Sequence, residues 1–266
     1  MIIDIHTHCY PDHMVAKIMP LLSKGANIQP YTDGTISGTL KAMDEAGVDI
    51  CVINKIATRV SQEPTVNRDI EEISSDRIVV FGGLHPYSDN WKGAVDDLVA
   101  RGIRGIKLHP DYQKFFADES HCMNVYEYVL GKGLAMLFHT GHDEGLGYPI
   151  HCTSKRFRKV VDAFPNEKLI AAHMGGMQEN RALDEAEEFL VGQPVYLDVA
   201  YILPFANKQQ ARRMILNHGA DKILFGSDSP WGDMKETMDA VKALDLGEED
   251  TRKILGENAG KIINTD

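Results

Sequence analysis

An α/β chain closed into an eight-stranded (β/α)8 barrel of the TIM type is the architecture this sequence predicts, on three observations. Eight apolar runs of strand length alternate with stretches of helical periodicity along the whole chain. The strongest runs are apolar throughout rather than alternating, as strands of a parallel sheet covered on both faces are. The polar residues able to do chemistry collect where those runs end, which is where barrel active sites lie. The rival architecture is a doubly wound open sheet. It lacks its expected sign, because no Gly-x-Gly-x-x-Gly follows the first strand.

The first run, Ile2-Ile3-Asp4-Ile5, ends in His6-Thr7-His8. Side chains at i and i+2 of a strand share a face, so these two imidazoles form half of a metal site. Residues 11–38 follow, opened by Pro11 and broken by Pro20, Gly25, Pro30 and Gly34. They are too long for an ordinary connection, with a short helix over 15–22, and are expected to fold over the barrel mouth as a lid. A helix over 37–46 stops at Gly47, and 48–53 is the second strand. A helix over 67–74 leads to the third strand, 77–84, which ends at His85-Pro86. A helix over 91–100 leads to the fourth, 103–108, ending at His109-Pro110, and a helix over 120–130 to the fifth, 134–138, ending at His139. The glycine-rich loop 141–147 and a helix over 154–164 precede the sixth strand, 168–172, ending at His173. Helices over 179–190 and 208–218 flank the seventh, 195–199. The eighth, 222–226, runs into Ser227-Asp228, and helices over 234–244 and 248–255 close the chain. No linker or second hydrophobic unit interrupts this rhythm, so residues 1–266 read as one domain.

Composition narrows the function classes. Of 266 residues, 43% are hydrophobic and 25% charged, as in an ordinary globular enzyme. The net charge of -11 argues against a nucleic-acid binder, which needs a basic face. It leaves anionic substrates open, since a metal sets its own local field. Cys9, Cys51, Cys122 and Cys152 show no paired spacing and read as reduced thiols of a cytoplasmic protein. No run is long enough for a membrane span, and no basic leader precedes the first strand.

Six of the eleven histidines end apolar runs: His6, His8, His85, His109, His139 and His173. A ring at the end of a buried strand must find a polar partner, and one metal satisfies several rings together. The plainer readings stand beside this one. His109 and His85 precede prolines and could simply shape turns. Asp228 could cap the helix after it. Arg59, just after the second strand, is either a grip for a substrate carboxylate or a solvated loop residue. Asp198 reads as a buried hydrogen-bonding residue. His13, His121, His142, His151 and His218 read as surface or rim residues.

Five stretches together carry a family likeness: Ile5-His6-Thr7-His8, Gly105-Ile106-Lys107-Leu108-His109-Pro110, Phe138-His139-Thr140-Gly141, Ala172-His173-Met174-Gly175-Gly176 and Phe225-Gly226-Ser227-Asp228-Ser229-Pro230-Trp231. In them the chain resembles the amidohydrolase superfamily, in its amidohydrolase-2 branch. That branch includes metal-dependent hydrolases and the nonoxidative decarboxylases of aminocarboxymuconate semialdehyde and hydroxybenzoates. The resemblance implies that His6, His8 and His139 ligate a divalent metal. Asp228 would be the fourth ligand or hold the water, and His173 would orient or deprotonate that water. Imidazole and carboxylate ligands suit Zn²⁺ first, with Mn²⁺ and Fe²⁺ as alternatives. Related dinuclear enzymes carboxylate a lysine on the fourth strand. Lys107 lies two residues before that strand's end and reads rather as an ammonium that, with His109 and Arg59, binds substrate.

The expectation is a metal-dependent hydrolase that directs an activated water at an amide, ester or lactone. The alternative is nonoxidative decarboxylation of an unsaturated or aromatic acid. The expected partner is a small molecule, a carboxylate among the candidates, with no nucleic acid and no membrane, and homo-oligomers left open.

Overall fold

A computed structural model describes residues 1–264. Eight parallel strands pair in chain order: β1 (Ile3–Thr7), β2 (Ile50–Asn54), β3 (Ile78–Gly83), β4 (Gly105–Leu108), β5 (Ala135–Phe138), β6 (Leu169–Ala171), β7 (Tyr196–Asp198) and β8 (Ile223–Leu224). The register is regular in the middle, with Lys107 opposite Leu137 and Leu108 opposite Phe138. The seam is closed by Ile5 N–H on Phe225 O (3.0 Å), Asp228 N–H on His6 O (2.7 Å) and His8 N–H on Ser229 O (2.6 Å). The seam therefore sets the end of β1 against the turn that carries Asp228. Gly226 permits this approach, since a Cβ there would lie 2.8 Å from that of His6.

Alternation along the strands sorts side chains into two cores. Ile106, Leu108, Met136 and Phe138 pack outward with helix residues such as Tyr126 and Phe157. Leu137, Ile170 and Leu224 join Ile3 and Ile5, and Ile262 of the final helix (Asn258–Ile263) packs with them. Both clusters are apolar and buried, so the polar residues at the strand ends are held on a close-packed frame.

Three stretches depart from the sequence reading. Residues 11–38 are not mainly irregular: a 15-residue helix, Asp12–Ala26, runs through Pro20 and ends on Asn27 in the left-handed conformation. Its first turn can begin at Pro11 because the first N–H groups of a helix are unpaired anyway. The helix expected over 67–74 is only the short turn Ile70–Ile73, and a separate turn, Glu63–Val66, precedes it. The one expected over 179–190 is only Asp184–Phe189, because Arg181 adopts a positive φ of 60°.

Two histidines read as surface or rim residues are buried. His218 accepts from Gly192 N–H at Nδ1 (3.1 Å) and donates from Nε2 to Val195 O (2.8 Å). His151 donates from Nδ1 to Asp111 (2.8 Å). Each ring bridges two segments far apart in sequence, which no local pattern announces. Among the described residues, no helix is long and apolar enough to cross a membrane.

Candidate metal centre

The ring protons at the barrel mouth can be placed one by one, because most partners can only accept or only donate. Asp198 Oδ2 lies 2.8 Å from His6 Nδ1. A carboxylate accepts, so Nδ1 carries the proton and Nε2 is bare. His8 Nδ1 faces the Asn54 carbonyl at 3.1 Å, which again leaves Nε2 bare. His173 Nδ1 faces the Ala200 carbonyl at 3.0 Å, so its Nε2 accepts, and it does so from His139 Nδ1 at 3.0 Å. His139 Nε2 is then also bare. It is buried and has no hydrogen-bond partner among the described residues.

The lone pairs of His6 and His8 converge on one carboxylate, while His139 Nε2 lies across the mouth, 4.0 Å from Asp143 Oδ2. Asp228 Oδ1 lies 3.4 Å from His6 Nε2 and 3.3 Å from His8 Nε2. In this tautomer set no ring proton lies between the three acceptors; the Lys107 ammonium donates to His6 Nε2 (2.9 Å), but His8 Nε2 and Asp228 Oδ1 repel unless a cation joins them. Their spacing is the edge of a tetrahedron whose bonds are about 2.0–2.1 Å long, the length of Zn–N and Zn–O bonds, since such an edge is about 3.3–3.4 Å. The donor set therefore fits a divalent ion. Three imidazoles pinned through the other nitrogen are how metal-binding histidines are usually held.

Burial first, and Lys107 next, keep His6 well below the ordinary imidazole value. Burial and the neighbouring His109 do the same for His139. Burial alone would raise the Asp228 carboxyl, but His6 and His8 outweigh it and bring it to about 2. At neutral pH His6 and His139 thus offer neutral rings and Asp228 an ionised carboxylate, the forms that ligate metals. Lys107 is fully buried, with Nζ 2.9 Å from His6 Nε2. Burial lowers it to about 8, against the opposing pull of Asp198 and Asp228. Among the described residues no carboxylate oxygen lies within salt-bridge distance of it.

The backbone around the cluster is strained. His173, Met174, Tyr201 and Asp228 all adopt φ between 55° and 65°, although none is glycine. Each such residue costs on the order of 1 kcal/mol or more, and such residues concentrate where function fixes the backbone. Asp4 helps to hold the strain: its Oδ1 accepts from His6 N–H (3.1 Å) and Ser227 N–H (3.0 Å).

His109 differs from the other rings. Its Nδ1 faces the N–H of Tyr112 at 3.4 Å and must accept. The ring proton is therefore on Nε2, which donates to Asp143 Oδ2 at 3.2 Å. His109, His139 and Asp143 offer ligand atoms as tightly grouped as those of His6, His8 and Asp228. The tautomers separate the two groups, because His109 presents an N–H where a ligand needs a lone pair. His109 stacks on His139 with centroids 4.0 Å apart and planes 9° apart. Burial would raise Asp143, but the hydrogen bond from His109 holds it below the usual carboxylate value. Sequence reasoning missed Asp143; the signal available was a carboxylate four residues after His139 in a glycine-rich loop.

The strand-end residues open into a cavity of about 1250 Å³, lined near the cluster by Tyr10, Tyr112, Tyr201 and Trp231. Met14, Ile18 and Leu22 of the Asp12–Ala26 helix line it too. Arg59 is exposed on the cavity wall beside Gln62 and Arg68. The structure brings together His6, His8, His139, His173, Lys107, His109 and Asp228, and places Arg59 on the outer wall. His85 does shape a turn, accepting from Tyr87 N–H at 3.3 Å.

A sequence model of the Amidohydrolase family matches residues 3–264. No curated protein sequence matches the chain significantly. Among solved structures, the chain is similar to the apo form of Metarhizium anisopliae IDCase. The TM-score is 0.74 at 16% identity, covering 99% of this chain and 97% of that one. It is similar to a dihydroxybenzoic acid decarboxylase of Polaromonas with bound manganese and the inhibitor 2-nitroresorcinol, with TM-score 0.71, 15% identity and coverage of 99% and 96%. It is also similar to a probable 2-pyrone-4,6-dicarboxylic acid hydrolase of Acinetobacter baumannii with citric acid bound, with TM-score 0.69, 14% identity and 99% of each chain covered. At these identities the structures speak to the shared barrel fold. With the family model matching all but two residues at each end, the chain belongs to the amidohydrolase family.

Proposed function

We propose that this protein is a metal-dependent, nonoxidative decarboxylase of a small unsaturated or aromatic carboxylic acid. The observation that carries the reading is the buried ammonium of Lys107, which stands among the candidate ligands with no carboxylate of its own. A buried charge is costly until it is paired, so a lysine held this way calls for an anion brought by the substrate. The aromatic cavity wall suits a flat acid. Decarboxylases of hydroxybenzoates and of 5-carboxyvanillate among the structural neighbours add weight to this reading over the hydrolytic one.

His6, His8, His139 and Asp228 would hold the ion, with Zn²⁺ or Mn²⁺ as the best candidates for three imidazoles and a carboxylate. When bound, the ion supplies Lewis-acid charge for a substrate oxygen. The chain does the rest. Asp198 fixes the His6 tautomer, and His173 fixes that of His139. With His6 Nε2 held as a ligand, Lys107 Nζ would lose that acceptor and be free to pair with the substrate carboxylate. As the bond between that carboxylate and the ring carbon breaks, its electron pair stays on the carbon. A proton from a donor on the cavity wall replaces the departing CO₂, and Lys107 Nζ is the cationic donor among the ligands.

Hydrolysis of a lactone is the second reading, favoured by the likeness to the pyrone dicarboxylate hydrolase. It asks His173 Nε2 to take a proton from water, and that atom is engaged by His139 at 3.0 Å. The test is product analysis with metal-loaded protein: CO₂ release from a panel of hydroxybenzoic and unsaturated acids, against acid release from lactones and amides. CO₂ from at least one acid supports the proposal; acid release from lactones without CO₂ overturns it.

A further inference from the structure

Asp143 is the cavity carboxylate that the reaction above does not use. Of the other acidic residues lining the cavity, Asp12 and Glu72 are exposed to solvent, Lys55 meets Asp69 at 2.8 Å, and Arg181 meets Glu144 at 2.9 Å. Among the described residues, Asp143 meets no lysine or arginine within salt-bridge distance. Its ring partner His109 is neutral, with its one proton directed at Oδ2 (3.2 Å). Oδ1 accepts from Gly145 N–H at 2.8 Å. A carboxylate has about four lone-pair sites, so two bonds leave it with acceptor capacity. The side chain is 16% exposed and lines the same cavity as the ligand cluster. Its Oδ2 lies 4.0 Å from His139 Nε2 but already accepts the His109 proton at 3.2 Å, which weakens it as a metal ligand.

We infer that Asp143, oriented by His109, reads the substrate's substituent, accepting a hydrogen bond from an O–H or N–H carried by the organic acid. A bare or O-methylated acid would leave this acceptor facing an apolar group or another lone pair. A site built to pair a polar group rejects the analogue that lacks it far better than an apolar pocket rejects an added group. The inference rests on the reading that this cavity takes small organic acids, and it adds the residue that chooses among them.

The test uses manganese-loaded protein and calorimetric binding of 3- and 4-hydroxybenzoate, the matching aminobenzoates and the matching methoxybenzoates. In these acids the substituent cannot chelate together with the carboxylate. Wild type is expected to prefer the hydroxy or amino acid over the methoxy acid by on the order of 10- to 100-fold in at least one series, the range of a hydrogen bond to a charged group. Asp143→Ala should remove that preference. Asp143→Asn leaves one oxygen for two donors, Gly145 N–H and His109 Nε2–H, and adds an NH₂ donor in place of the second acceptor, so it should shift the preference towards the methoxy acid. Metal content should be unchanged in both variants, and Asp143→Asn carries the test should Asp143→Ala fail to fold. An unchanged preference in Asp143→Asn, no preference in wild type, or metal loss in Asp143→Asn overturns the inference. Binding does not require turnover, so the two readings fail separately. A preference that depends on Asp143, with no CO₂ from any acid, supports the inference and sinks the decarboxylase reading.

Discussion

Asp198→Asn isolates the claim that the ring tautomers build the site. Asp198 is fully buried; its Oδ1 accepts from the N–H groups of His173 (2.9 Å) and Ala200 (3.1 Å), while Oδ2 accepts from His6 Nδ1 (2.8 Å). Asparagine can keep its oxygen on the two backbone donors. Its NH₂ then points at His6 Nδ1, which forces that nitrogen to accept and moves the ring proton to Nε2. To ligate, the ring must be turned back against the amide. Loss of such a supporting contact costs about 10- to 100-fold in metal affinity, or roughly 1.4–2.7 kcal/mol. Competition between the protein and a chromophoric chelator for Zn²⁺ or Mn²⁺ measures this directly, with circular dichroism to show that the fold is retained. A variant that binds metal as tightly as wild type would refute the assignment of the His6 proton.

Three further expectations follow from the same geometry. Lys107→Met should keep its metal and weaken binding of a substrate carboxylate by on the order of 10- to 100-fold, measured by calorimetry with benzoate analogues; equal affinity would remove the lysine from substrate binding. Asp4 is raised to about 7 by burial, so the folded protein holds an extra proton between the ordinary carboxylate value and about 7, and stability falls as pH rises through that window. In metal-free protein, Asp4→Asn should lack this fall and gain on wild type by up to the order of 4 kcal/mol between pH 4 and 7 in urea titrations; parallel profiles would contradict it. Replacing the Asp12–Ala26 helix with a short loop should change substrate preference more than metal content, and an unchanged substrate profile would end the proposed lid role.

The barrel was legible because its signal is local and repeated: apolar runs of strand length, each followed by helical periodicity. The strand-end histidines were legible for the same reason, since a polar ring closing an apolar run stands out. What distinguishes them is not local. The partner that sets the His6 proton is Asp198, 192 residues away. The atom that separates His109 from the ligands is a backbone N–H in the turn after β4. Asp143 sits in a glycine-rich loop whose path depends on packing against the neighbouring strand ends. The Asp12–Ala26 helix was obscured by Pro20 and Gly25, residues that lower helix propensity without forbidding a helix that packs along a cavity wall.

Metal stoichiometry in two single variants tests the central claim most directly. His139→Gln removes a bare, buried Nε2; His109→Gln removes a ring stacked on it at 4.0 Å that offers an N–H instead. Elemental analysis of protein purified without chelator should find one divalent ion per chain in wild type and in His109→Gln, and a largely metal-free His139→Gln. Retention of the ion in His139→Gln with its loss in His109→Gln would contradict the account.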